Sequence, residues 1–236
     1  MNRILDVATS LGASAARLGL GGRVGELGPR PEKLLELYEF EGCPFCRKVR
    51  EALSLLDLEA MVYPCPKQGP RFRPAVVERG GKAMFPYLVD PNTGDAMYES
   101  DDIIRHLYAR YGAGKPPLAL TAGPLTLLGS SLATACRPSQ GMRYEAADPP
   151  ELPLDLWSYE VSPFCRIVRE TLCSLEIPYH LHNVAKGSPS RPGFVERSGK
   201  MMVPYLADPN TGDEFFESAD IVAHLRKNYL RQNDAR

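Results

Sequence analysis

Leu37–Glu51 reads LYEFEGCPFCRKVRE, and Leu156–Glu170 reads LWSYEVSPFCRIVRE. In the first stretch, Leu37 to Phe40 alternates with acidic residues as a strand does. From Pro44 onward the apolar residues Val49, Leu53 and Leu56 recur on one face of a helix. Pro44 suits the first helical turn, where its missing N–H costs nothing. Cys43 therefore stands at the corner between a strand end and a helix start.

The similarity extends well beyond this corner: Leu37 to Tyr111 returns as Leu156 to Tyr229. Pro44-Phe45-Cys46-Arg47 matches Pro163-Phe164-Cys165-Arg166. After one deletion, Val77-Glu78-Arg79 matches Val195-Glu196-Arg197, Asp90–Asp95 (DPNTGD) recurs unchanged at Asp208–Asp213, and Glu99-Ser100 returns as Glu217-Ser218. Such repetition means two domains built alike. Each predicts the order βαβαββα. In the first copy the strands fall at Leu37–Phe40, Ala60–Tyr63, Tyr87–Val89 and Ala96–Tyr98, with the Asp-Pro-Asn-Thr-Gly turn closing a hairpin, and the later helices at Ala75–Arg79 and Asp101–Tyr111. That order gives a small mixed sheet with helices on its faces. The expected division is 1–35 an amphipathic helix and tether, 36–112 the first domain, 113–154 a proline-rich connector, 155–230 the second domain and 231–236 a tail.

The chain of 236 residues is 44% apolar and 24% charged, ordinary usage for a globular protein, so disorder and fibrous architectures drop out. Lys and Arg number 28 against 29 Asp and Glu, leaving no basic excess for a nucleic acid backbone. The six cysteines are too sparse for a disulfide scaffold and follow no four-ligand zinc spacing, so no metal site is expected. They read as thiol chemistry in a reducing compartment, the cytoplasm first. Asp6 interrupts the apolar start, which rules against a secretory layout; Ile4, Leu5, Val7, Ala8 and Leu11 suit one helix face instead. Arg3, Arg17 and Arg23 keep an organelle address open, a plastid stroma for example. Pro116 to Cys136 carries no charge, but its Pro, Gly, Ser and Thr suit a linker with a buried short helix and no membrane span.

Cys43-Pro44-Phe45-Cys46 after a strand, Phe85-Pro86 opening a later strand and Glu99-Ser100 opening the last helix resemble the thioredoxin-like fold. More narrowly, they resemble glutaredoxins and the N-terminal glutathione-binding domain of glutathione S-transferases. The resemblance implies an α/β chain of two tandem thioredoxin-like domains, each with a four-stranded mixed sheet, and glutathione as co-substrate. Soluble transferases usually add a C-terminal all-helical domain; no stretch here has that length, so conjugation of bulky electrophiles is not expected.

Cys43 is the expected nucleophile, because unpaired N–H groups and the helix dipole stabilise a thiolate there. Arg47 and Arg50 are expected to add positive charge nearby. Cys46, one turn on, is the expected resolving thiol. The scheme requires sulfur 43 to be ionised and reachable. An iron–sulfur cluster is not expected, since the pair supplies two ligands only. In the second copy Ser162 replaces Cys43. Ser162 either donates to a glutathione thiolate, as the resemblance implies, with Cys165 beside it, or merely caps the helix. The resemblance further implies cis bonds at Pro86 and Pro204, backbone pairing of Phe85 and Val203 with the cysteinyl unit, and capture of the γ-glutamyl group by Glu99, Ser100, Glu217 and Ser218. Lys82 and Lys200 are weaker candidates for the glycyl carboxylate. His106 and His224 read as packing residues, and Tyr38 and Trp157 as core. The expected activity is glutathione-dependent thiol–disulfide oxidoreduction of the glutaredoxin type on disulfide-containing or glutathionylated proteins, with the first domain redox-active and the second a redox-silent glutathione-binding module. A transferase or isomerase using Ser162 and a non-enzymatic protein-binding module are the alternatives. The oligomeric state is not legible.

Overall fold

The computed structural model describes residues 7–12, 20–121 and 140–231. Cys136 and most of the uncharged stretch before it lie outside the described residues, as do Arg3, Ile4, Leu5 and Arg17; residues 7–12 are helical. The first copy runs β1 (Leu35–Glu39), α1 (Pro44–Leu55), β2 (Ala60–Pro64), α2 (Phe72–Gly80), β3 (Tyr87–Asp90), β4 (Asp95–Met97) and α3 (Ser100–Tyr111). After the short α4 (Leu118–Thr121), the second runs β5 (Leu154–Ser158), α5 (Pro163–Ser174), β6 (Tyr179–Asn183), α6 (Arg191–Ser198), β7 (Tyr205–Asp208), β8 (Asp213–Phe215) and α7 (Ser218–Tyr229). Both copies show the βαβαββα order, and the fold is two tandem thioredoxin-like domains. No helix among the described residues is long and apolar enough to cross a membrane.

The alternation seen in the sequence sorts each sheet into two faces. Leu35 and Leu37 pack with Val49, Leu53, Leu56, Ile103, Ile104 and Leu107, which places α1 and α3 on one side. Tyr38, Cys65, Val76 and Tyr87 pack on the other side, under α2. The second copy repeats the arrangement, with Leu156, Val168, Leu172, Ile221 and Leu225 on one face and Phe194 and Tyr205 on the other. Trp157 is half-buried against this second cluster, whereas Tyr38 lies within its own.

The two sheets are one. Strand order is β4-β3-β1-β2-β6-β5-β7-β8, and antiparallel pairing of β2 with β6 joins the halves. Its register sets Ala60 against Leu181, Met61 against His180 and Val62 against Tyr179, so equivalent residues meet about a pseudo-twofold axis. Val62 packs within the second domain's core.

The tether and the connector end in equivalent straps. Arg23 bridges to Lys186 in the second domain and Leu27 returns to Gly112; Arg143 bridges to Lys67 in the first domain and Ala147 returns to Leu230. Gly141 lies at φ 59°, and a Cβ there would stand 2.8 Å from the Glu41 Cβ, so only glycine fits the strap against the interface.

Beneath the straps, α1 and α5 bury four arginines against three glutamates. Arg50 pairs with Glu39, with Glu160 at 3.0 Å and with Glu41 at 3.2 Å; Arg169 pairs with Glu41 at 3.1 Å and with Glu160 at 2.8 Å. Arg47 lies 3.6 Å from Glu160 and Arg166 3.9 Å from Glu41. Burial works against the charge of Glu160, yet Arg169, Arg50 and Arg47 hold its pKa down at about 2. Glu39 has the opposite balance: burial outweighs Arg50, and its pKa rises to about 7. In the second copy Ser158 stands in place of Glu39 and accepts from Arg169 at 3.2 Å.

Removing one member of a buried ion cluster strands its partners. Glu160→Ala is therefore expected to lower unfolding free energy by about 3–5 kcal/mol in urea titrations. A loss below about 1 kcal/mol would show that the cluster is replaceable.

Candidate thiol site

Three backbone features meet at one end of the first domain. Cys43 is the N-cap of α1, with φ −81° and ψ 123°, and Pro44 follows in the first turn. The Phe85–Pro86 peptide is cis, as is Val203–Pro204, and the Phe85 carbonyl lies 4.0 Å from Cys43 Sγ. Extending the β3–β4 register, which sets Leu88 against Met97, brings Glu99 opposite Pro86. Ser100 then opens α3, buried, while Glu99 is exposed.

The Cys46 N–H donates to Cys43 Sγ at 3.3 Å. The Cys46 thiol hydrogen bond, followed by the backbone N–H groups of Cys46 and Phe45, holds the Cys43 pKa below its ordinary value against the effect of burial. Burial, with Cys43 as neighbour, pushes Cys46 well above its own. The acidities of the two thiols of one motif are thus shifted in opposite directions.

Two expectations fail here. Arg47 and Arg50 do not attend the thiol; both are buried in the interdomain cluster, because the face of α1 that carries them turns toward Glu160 of the second domain. The negative group nearest in effect is Glu39, which opposes ionisation of Cys43. Nor is the thiol open to solvent: Cys43 is 3% exposed, although Phe45 beside it is 43% exposed.

The second copy keeps the geometry with different chemistry. Ser162 caps α5, its Oγ accepting from the Cys165 N–H at 3.3 Å, so the capping role is the one the structure displays. Cys165 is fully buried, in the place that Cys46 holds in the first copy. The helical residues 7–12 lie on this first turn: Ser10 Oγ donates to the Pro163 carbonyl at 2.9 Å, and Arg166 donates to the Ser10 carbonyl at 2.6 Å. Glu217 has ordinary extended backbone, φ −83°, whereas its counterpart Glu99 sits at φ 63° and ψ 114°. A glutamate held at positive φ costs on the order of 1–3 kcal/mol, and such strain gathers at ligand clamps. Val203, Pro204 and Ser218 repeat the places of Phe85, Pro86 and Ser100 without it.

The remaining candidates find other partners. Lys82 Nζ lies 4.8 Å over the Tyr98 ring and Lys200 Nζ 4.2 Å over Phe216. Cys65 is buried, its thiol donating to the Tyr63 carbonyl at 3.3 Å, and burial raises its pKa. Cys173 is buried at the interface, where it accepts from the Glu41 N–H at 3.4 Å and donates to the Gly141 carbonyl at 3.2 Å. His106 and His224 are packing residues with a purpose the sequence did not display: each binds the buried first aspartate of the repeated turn, Asp90 or Asp208, at 2.8 Å. Tyr111 and Tyr229 donate to the same carboxylates at 2.7 and 2.6 Å. The joint recurrence of Asp, His and Tyr in both copies was the available signal.

The family described as "Glutathione S-transferase, N-terminal domain" matches residues 37–117 and again 156–232. The chain belongs to that family, twice over. No curated protein matches it, and no solved structure does.

The acidity split has a direct readout. Iodoacetamide should modify Cys43 first, with an inflection below the free-thiol pKa of about 8.5. Cys46, Cys65, Cys165 and Cys173 should stay unmodified until unfolding, as judged by peptide mass mapping. Labelling of Cys46 ahead of Cys43 would reverse the assignment.

Proposed function

We propose that the first domain catalyses glutathione-linked thiol–disulfide exchange of the glutaredoxin type, and that the second is a redox-silent copy. The observation that carries this reading is the placement of Cys43 Sγ at the start of α1, 3.3 Å from the Cys46 N–H and facing the carbonyl before the cis Pro86, with the acidities of Cys43 and Cys46 shifted in opposite directions. The Cys43 thiolate attacks the glutathionyl sulfur of a protein–glutathione mixed disulfide, and the protein thiolate leaves and takes up a proton. A second glutathione thiolate then attacks the Cys43–glutathione disulfide, releasing oxidised glutathione and restoring Cys43. Alternatively Cys46 gives up its proton, attacks the Cys43 sulfur and expels glutathione, forming an intramolecular disulfide that two glutathione molecules reduce.

Glutathione itself is proposed to lie along Phe85, Pro86, Glu99 and Ser100. The N–H groups opening α3 suit its γ-glutamyl carboxylate, and the exposed Glu99 carboxylate suits its α-amino group. Because Cys43 is nearly covered, exchange starts from a minor open state, and the apparent rate carries that population. The second copy offers no sulfur at position 162 and has residues 7–12 seated on its helix start, which speaks against a Ser162 transferase.

Turnover of a glutathionylated peptide with glutathione should fall by at least about a hundredfold in Cys43→Ser, since the nucleophile itself is lost. It should persist in Cys46→Ser and in Ser162→Ala. Full activity in Cys43→Ser, or loss in Ser162→Ala, would refute the assignment.

A further inference from the structure

The seam between the domains carries a second group of chemistry-bearing side chains. His180 and His182 stand on alternate positions of β6, on the sheet face opposite Tyr179 and Leu181, and both rings are partly exposed. β5 sets Asp155 against His180, and Glu59 enters from the first domain, just before β2. Glu59 Oε2 lies 2.9 Å from His180 Nε2 and its Oε1 3.1 Å from His182 Nδ1. On the far side of both rings, Asp155 Oδ1 lies 2.8 Å from His182 Nε2 and 3.5 Å from His180 Nδ1.

We infer that Glu59, His180 and His182 form a binding site for a divalent transition-metal ion of the zinc type, spanning the two domains. The three ligand atoms lie within 4.8 Å of one another. Around a tetrahedral ion with bonds of about 2.0–2.1 Å they would stand about 3.4 Å apart, close to the 2.9 and 3.1 Å that already separate the Glu59 oxygens from the two rings. Two imidazoles and one carboxylate are a donor set that zinc and its neighbours accept while leaving positions for water. All three side chains are partly exposed, and Glu59 also lines an open cleft of about 380 Å³ with Arg30, Leu34 and Asp57.

The surroundings are those of a prepared site. Asp155 is hydrogen-bonded to His182 Nε2, the ring nitrogen that points away from Glu59, the carboxylate–histidine arrangement that fixes a ligand's tautomer and orientation. His182 is stacked on Trp157 at 4.2 Å and 9°, so its ring cannot swing freely. The first domain has Met61, Tyr63 and Glu36 at the corresponding places, and Pro178 stands where Glu59 would recur. The cluster is therefore no requirement of the repeated fold. Its ligands come from both halves, so an ion here would fasten the seam that β2 and β6 form.

Cobalt(II) titration of the full chain, in a Cys43→Ser/Cys46→Ser background that removes the competing thiols, tests the site. One equivalent should bind and give visible ligand-field bands without thiolate charge transfer. Glu59→Gln and His182→Gln should each weaken binding at least tenfold, and Asp155→Asn by about 10–100-fold. Zinc should raise the melting temperature of the parent and not of Glu59→Gln, a surface change that leaves folding intact. No stoichiometric binding, or binding unchanged by Glu59→Gln and His182→Gln, would overturn the proposal and leave the cluster an ion-pair network.

Discussion

An open sheet edge presents unpaired N–H and C=O groups and must be covered. Here the edge strands β2 and β6 cover each other, and most of the remaining structure follows from that pairing. The antiparallel register turns the arginines of α1 and α5 toward the same glutamates, which takes Arg47, Arg50, Arg166 and Arg169 out of water together. Four guanidinium groups cannot be buried without counter-charge, and Glu39, Glu41 and Glu160, turned in from the ends of β1 and β5, provide it. The straps then lie over the cluster, and Gly141 is the size it is because Glu41 is beneath it.

The same constraint shapes the thiol site. With the arginines of α1 committed to the interface, the charge of a Cys43 thiolate rests on the helix start, the Cys46 thiol and two backbone N–H groups. The site therefore owes its acidity to short-range hydrogen bonds, which survive salt, rather than to surface cations, which do not. In the second copy one atom differs at the key position, a hydroxyl oxygen for a sulfur, and the neighbouring backbone at Glu217 has relaxed. The two copies thus share one frame and differ in the residues at the helix start.

Much of this was legible in the residues. The apolar spacing of Val49, Leu53 and Leu56 gave the buried face of α1, and all three are buried. The DPNTGD repeat marked the hairpin, and the CPFC corner marked the cap. What stayed hidden depends on contacts between residues far apart in the chain. Arg47 lies one turn from Cys43, so local reading placed it beside the thiol; only the partner domain decides that it turns toward Glu160. Glu59 has no counterpart in the second copy, so the repeat could not group it with His180 and His182. The positive φ of Glu99 is equally invisible, because the same Glu-Ser pair adopts ordinary backbone at Glu217.

The central claim is that one sulfur of this duplicated chain exchanges with glutathione. Intact-protein mass after incubation with oxidised glutathione tests it most directly, comparing the native chain with Cys43→Ser and Cys165→Ser. The account requires one oxidation event, seen as a single glutathione adduct or the two-proton loss of a Cys43–Cys46 disulfide, absent from Cys43→Ser and intact in Cys165→Ser. An adduct that persists without Cys43, or one that vanishes with Cys165, would contradict it.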